Sequence, residues 1–277
     1  KVKNMGKYIL FSFGILIIAF LFIIWPLYQF HILHYPQEHQ LRDTIADLSP
    51  GGIKPYEQLL SIQPIDNPLL RPFAQYFRGV LMATQRSSFG NTVYFFGDIK
   101  AGGWWHYFPM LYVLKEPIAL HVVTLLGFFG ILWTMKKNWV KDNFPILVFV
   151  LWIALYWIFA VAGNLNIGIR HMLPTFPFMY LISMWGIKEI VSRVNSVRVK
   201  RNILIAIILL LVSYIGSSLA AFPHYISYYN ELGGGTKNGY KIAVDSNYDW
   251  GQDFYRLLEF VKKNKIEKLY LDYFGGE

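Results

Sequence analysis

The sequence contains no cysteine, which excludes disulfide staples, a thiolate metal site and a thiol nucleophile. Charge is also scarce: 16% of the residues are Asp, Glu, Lys or Arg, against roughly 25% in an average soluble domain. There is no glycine-rich phosphate loop, no serine nucleophile elbow and no His-Glu metalloprotease helix. The first apolar run is too long for a secretory leader and lacks a small-residue cleavage site. No internal repeat or low-complexity tract interrupts the chain. The absence of cysteine fits a bacterial or archaeal envelope at least as well as a secretory lumen.

Apolar and aromatic residues are abundant. Hydrophobic residues make up 55% of the chain and aromatic ones 18%, a membrane profile. Five stretches approach the length needed to cross a hydrocarbon core of about 30 Å: residues 8–30, 117–135, 144–163, 172–191 and 202–222. The fourth carries Pro174 and Pro177 in its first turns and Lys188 and Glu189 near its end. Prolines are tolerated at a helix start, where the first amides have no intrahelical acceptor.

Positive charge alternates between the links, as the positive-inside rule requires of five consecutive spans. Lys1, Lys3 and Lys7 precede the first span. Lys136, Lys137 and Lys141 face Asp142 between the second and third. Lys188, Arg193, Arg198, Lys200 and Arg201 face Glu189 between the fourth and fifth. These groups account for the whole formal charge of +9. The N-terminus is therefore expected in the cytoplasm, with residues 31–116, the turn at Arg170 and residues 223–277 outside. Because topology uses up the basic excess, no nucleic-acid partner is expected.

The expected fold is a polytopic α-helical membrane protein. Residues 1–30 would form a transmembrane helix. Residues 31–116 would be an extracytoplasmic loop with short helices at 38–48 and 55–62 and an interfacial amphipathic helix at 73–87. Residues 117–222 would hold four further spans. Residues 223–277 read as an extracytoplasmic α/β segment: a strand at 241–245, a helix opened by an Asp249/Gln252 capping box, and a second strand at 266–274. The first residue is lysine and the last residues read as a strand cut off in a turn. The chain is thus expected to be a fragment at both ends.

Three segments hold candidate chemistry. The first, Gly103-Trp104-Trp105-His106-Tyr107-Phe108-Pro109, is either an aromatic interface belt or a platform facing sugar or lipid. Lys115 follows, as a snorkelling lysine or a phosphate contact. The second, Asn166-Ile167-Gly168-Ile169-Arg170-His171-Met172-Leu173-Pro174, places a cation at the mouth of a helix pair. There it needs an anion, either an acid of the long loop or a phosphate gripped by the planar guanidinium. The third runs from Asp245 to Asp253 and packs Asp245, Asp249 and Asp253 into nine residues. They serve either to cap and order a turn or to bind a ligand; as a calcium loop the spacing fails.

In this order, with Pro223-His224-Tyr225 before the third, these segments resemble the C-terminal half of bacterial and archaeal membrane glycosyltransferases related to protein O-mannosyltransferases. That group is glycosyltransferase family 39, of the GT-C fold. The resemblance covers the chain from about Tyr94 onward. It implies inverting transfer of a sugar from a polyprenyl-phosphate or dolichyl-phosphate carrier to an acceptor on the non-cytoplasmic face of the plasma membrane. It implies no cofactor and leaves a divalent metal open. Arg170, His171 and Lys115 would lie near the donor phosphate. Trp104, Trp105, His106 and Tyr107 would border donor or acceptor, and Asp245, Asp249 and Asp253 would be acceptor-binding or structural. The family's catalytic acid belongs to an acidic pair after the first span of its N-terminal half. No such loop is present here, so the general base is expected upstream. Two other classes stay open: a transporter or flippase with Arg170 on its substrate path, and a non-enzymatic envelope assembly protein.

Overall fold

The computed structural model describes residues 2–135 and 143–271. The lysine link at 136–142 and the last part of the expected second C-terminal strand, 272–274, lie outside the described residues. The chain divides into two units, Lys1–Phe89 and Gly90–Glu277.

In the first unit, α1 (Val2–Ala19) passes through a π turn at Phe20–Ile24 into α2 (Trp25–His31). Residues Gly6–His31 together are long and apolar enough to cross a membrane. The connection to the next unit is helical: α3 (Gln37–Leu48), α4 (Pro55–Glu57), which continues as a π turn at Gln58–Ile62, and α5 (Arg71–Phe89). The short helices stand where Pro36 and Pro55 start them, since proline presets φ and its missing amide costs nothing there. The amphipathic helix expected at 73–87 is α5, but its apolar face meets protein. Phe73 stacks on Phe20 at 4.8 Å, and Arg71 Nε donates to Gln40 Oε1 at 2.6 Å. Arg78 pairs with Asp47, so a charge of the loop is neutralised within the loop.

The second unit opens with a hairpin, β1 (Thr92–Phe95) against β2 (Asp98–Ala101), in which Phe95 pairs with Asp98. Phe96 and Gly97 both take positive φ, as a tight two-residue turn demands. Next come α6 (Tyr107–Lys115) and α7 (Ile118–Thr134), bent by 112°. Pro117 causes the break, because it forces Glu116 into an extended conformation (φ −91°, ψ 147°). Then follow α8 (Phe144–Ala162), a 3-10 run at Ile169–Thr175, α9 (Phe176–Arg193) and α10 (Val197–Ala221). Helices α7 and α9 approach backbone to backbone. A Cβ on Gly127, Gly130 or Gly186 would overlap the opposite main chain, the small-residue packing by which apolar helices associate within a bilayer.

The protein is a helical chain of membrane type; of the five expected spans, three or four have the length and apolarity of a span among the described residues. Gly6–His31, Phe144–Ala162 and Val197–Ala221 have the required length and apolarity, and the bent pair α6–α7 adds a fourth if it forms one span. Helix α7 alone is short because of Pro117. Helix α9 begins only at Phe176, after the 3-10 run, and ends on Lys188, Glu189 and Arg193.

The expected strand–helix–strand at the C-terminus is not formed among the described residues. Residues 241–245 touch the hairpin through one antiparallel bridge, Ala243 to Phe95, backed by the Phe96 amide donating to Ile242 O at 2.9 Å. A ladder cannot extend because 3-10 turns at Gly239–Lys241 and Asp245–Asn247 flank the bridge, the second opened by Asp245 at φ 55°. The helix is present as α11 (Phe254–Lys263), but it starts later than the Asp249/Gln252 spacing predicts. Asp249 Oδ1 accepts from Gly251 N and Gln252 Oε1 accepts from Trp250 N, so both side chains close a turn around Gly251 (φ 87°) instead of capping a helix. Residues 266–271 form no strand.

Candidate functional site

The three candidate segments meet at one buried side chain, Asn247. Its Oδ1 accepts from the Ile169 amide at 2.8 Å, beside Arg170. Its Nδ2 donates to the Tyr107 hydroxyl at 2.8 Å, and its carbonyl accepts from Lys115 Nζ. Asn247 thus joins the aromatic segment, the arginine turn and the acidic segment, using main chain and side chain together. A buried amide left unmatched would be expensive, so this wiring fixes the three segments in one geometry. Two close approaches complete it. The Trp104 amide donates to buried Asn166 Oδ1 at 2.6 Å. A Cβ on Gly168 would lie 2.8 Å from Ser246 Oγ and 3.3 Å from Ser246 O, so a larger residue here would push the serine hydroxyl aside.

Tyr229 anchors the residues just before the acidic segment, and Asn230 anchors its own turn to the end of α6. Burial keeps the Tyr229 phenol protonated by pushing its pKa far up, and it donates to Ala243 O at 3.1 Å. Asn230 Nδ2 donates to Val113 O and Glu116 O at 2.7 and 2.8 Å. These are carbonyls at the end of α6 that have no intrahelical amide to accept from.

Arg170 stands at the surface of this junction. Its guanidinium carbon lies 3.8 Å from the centroid of the Trp250 ring, and among the described residues it forms no ion pair. Among the described residues of the second unit, then, the alternative of a salt bridge to Asp98 or Glu116 of the long loop is not realised. Stacking uses the flat face of the guanidinium and not its N–H edge, the edge that recognises phosphate or carboxylate. His171, next in sequence, is exposed, and its carbonyl accepts from Tyr156 of α8 at 2.7 Å.

The other candidates separate. Lys115 turns inward: it is 8% exposed, donates to Ile226 O at 2.7 Å as well as to Asn247 O, and lies over the Tyr229 ring. A buried ammonium with carbonyl partners and an aromatic face is satisfied internally. The aromatic platform is likewise divided. Trp105 is 71% exposed, Trp104 and His106 are half-buried against Phe95, and Tyr107 is core. Of the acids, Asp245 is exposed with Ser246 Oγ donating to it, Asp249 ties its own turn, and Asp253 pairs with Arg256. No group of three or more His, Asp or Glu suited to a metal ion occurs among the described residues.

Asn247, Asn166 and Trp250 were not singled out by sequence reasoning. Asn247 and Trp250 sit among the acids of the third segment, and nothing local marks an asparagine as a junction. A second feature of this unit is an apolar cleft of about 270 Å³ between α7, α9 and α10, bordered by Leu120, Val123, Met184, Leu211 and Tyr214. Comparison with family models, with curated proteins and with solved structures gives no match.

Proposed function

We propose that this chain is part of an integral membrane glycosyltransferase that takes a sugar from a polyprenyl-phosphate donor and gives it to an acceptor outside the cytoplasm. In the reaction a hydroxyl oxygen of the acceptor bonds to the anomeric carbon and gives up its proton to a general base, as the carbon–oxygen bond to the phosphate breaks, with inversion. The phosphate leaves with the electron pair, and Arg170 stabilises that growing negative charge. Trp250 holds the guanidinium flat so that its edge meets the phosphate. Exposed Trp105 and Asp245 would border the sugar or the acceptor, and His171 is a further donor to the phosphate. No residue of this chain is assigned as general base.

The observation that carries this proposal is Arg170 stacked on Trp250 without an ion-pair partner among the described residues. It stands at the point where the three family-like segments converge on Asn247. An exposed arginine held flat by an indole and without an ion pair keeps its hydrogen-bonding edge available for an anionic group. The apolar cleft of the same unit suits a lipid-borne substrate. By the charge of the links we also infer a cytoplasmic N-terminus and a C-terminal segment outside.

The test is Arg170→Ala in the full-length protein, assayed in proteoliposomes with a polyprenyl-phosphate sugar. Transfer should be lost while membrane insertion is unchanged, and Arg170→Lys should restore only a small part, because an ammonium lacks the planar fork. Full transfer by the alanine variant would reject the assignment.

A further inference from the structure

We infer that α11 is an interfacial helix, lying against the bilayer surface at the exit of α10. Its residues divide into two faces. Leu257, Leu258, Phe260 and Val261 fall on one side, with Glu259, Lys262 and Lys263 on the other. No residue of the helix is buried; Leu258 is 42% exposed and Phe260 57%. An apolar stripe of this kind requires a cover, and the position of the helix points to what that cover is.

The first turn of α11 is tied to the residues that leave α10. Arg256 pairs with Asp253, its Nη2 donates to Pro223 O at 3.5 Å, and His224 Nδ1 lies 3.8 Å from Asp253 Oδ1. Pro223 and His224 follow directly on Val197–Ala221, a helix long and apolar enough to cross a membrane. Helix α11 therefore starts within a few ångströms of where such a span ends. Around that exit Phe222 and Tyr225 are both exposed with ring centroids 6.1 Å apart, the aromatic pattern of headgroup depth. Beyond the apolar stripe come Lys262, Lys263, Lys265 and Lys268, all exposed, against Glu259 and Glu267. Apolar face, basic end and tether to a span exit together define a helix that lies in the membrane interface. The occupant of the face is thus the boundary between headgroups and acyl chains, with the lysines favouring anionic lipid. This does not depend on the transferase proposal, since a membrane protein of any activity could use such a helix.

The cysteine-free sequence permits a direct test. Leu258→Cys and Glu259→Cys, each carrying a nitroxide, are placed separately in the whole protein and reconstituted into vesicles of phosphatidylcholine with an equal part of phosphatidylglycerol. The label at 258 should be relaxed several-fold more by oxygen than by a water-soluble nickel chelate, and the label at 259 should show the reverse. Nickel access at 258 equal to that at 259 would place the face in water and overturn the inference. Exclusion of both reagents from 258 would overturn it too, because the face would then be covered by protein, either other parts of the chain or a second copy. Arg256→Ala should reduce the contrast between the two labels by releasing the first turn; an unchanged contrast would remove the tether from the proposal.

Discussion

The Arg170 guanidinium lies flat over the Trp250 indole, 3.8 Å from its centroid, across eighty positions of sequence. The pair joins the arginine turn to the acidic segment at the surface, as Asn247 joins them in the interior. The two layers divide the work: Asn247 sets the position of the turn, and Trp250 sets the plane of the cation. If Trp250 only orients Arg170, Trp250→Ala should weaken donor binding by the value of an exposed cation–π contact, about 0.5–1 kcal/mol, or a few-fold. Trp250→Phe should recover part of this. The measurement is the donor KM of both variants, and equal KM values for wild type and Trp250→Ala would show that the stacking does not serve the donor.

Asn247→Ala removes the acceptor for the Ile169 amide and the donor to the Tyr107 hydroxyl in a dry interior. Each group left unmatched costs about 1–3 kcal/mol. Thermal unfolding in detergent should therefore shift downward markedly. Asn247→Asp should be milder, because its carboxylate still accepts from Ile169 and can accept from Tyr107 in place of donating to it. Equal losses for the two variants would mean that size or charge matters at this position, and not the hydrogen bonds.

Lys115→Met keeps the aliphatic stem and deletes the ammonium that bridges Ile226 O and Asn247 O. Stability should fall by about 1–3 kcal/mol, while the donor KM of the folded fraction should stay at the wild-type value. A raised KM without loss of stability would restore Lys115 to the phosphate site, against its burial.

Sidedness can be read with single cysteines in an otherwise cysteine-free chain. A cysteine replacing Asn195, in the link between α9 and α10, should react with an impermeant maleimide only from the cytoplasmic side. One replacing exposed Trp105 should react only from the other side. The reverse pattern would invert the proposed orientation and remove the extracytoplasmic setting from the proposed reaction.

Much of the local structure was legible because its causes are local. The long apolar runs 8–30, 144–163 and 202–222 became helices at nearly those bounds, since length and composition suffice for such a segment. The short helices after Pro36 and Pro55 and the amphipathic α5 followed from proline placement and periodicity. Where packing competes with pattern, the pattern failed. Ile242-Ala243-Val244 has the composition of a strand, yet Ile242 and Ala243 are used to cover Phe95 and the core beneath it, with turns on either side. The hairpin at Thr92–Phe95 and Asp98–Ala101 was not among the expected elements; its two-residue turn at Phe96-Gly97 is closed by the cross-strand pairing itself.

The sequence by itself determined that this is a helical chain of membrane type, with one arginine between two apolar stretches and three segments rich in polar and aromatic groups. Those properties depend on composition and on spacing within single stretches. Only the tertiary structure decided which polar groups face inward and which outward. Lys115 and Tyr107 turn into the core because Asn247, Tyr229 and Ile226 offer them partners there. Arg170 stays at the surface, where the group that meets it is the aromatic face of Trp250. A side chain's role depends on the partner that burial brings to it, and at this junction the partners come from distant parts of the chain.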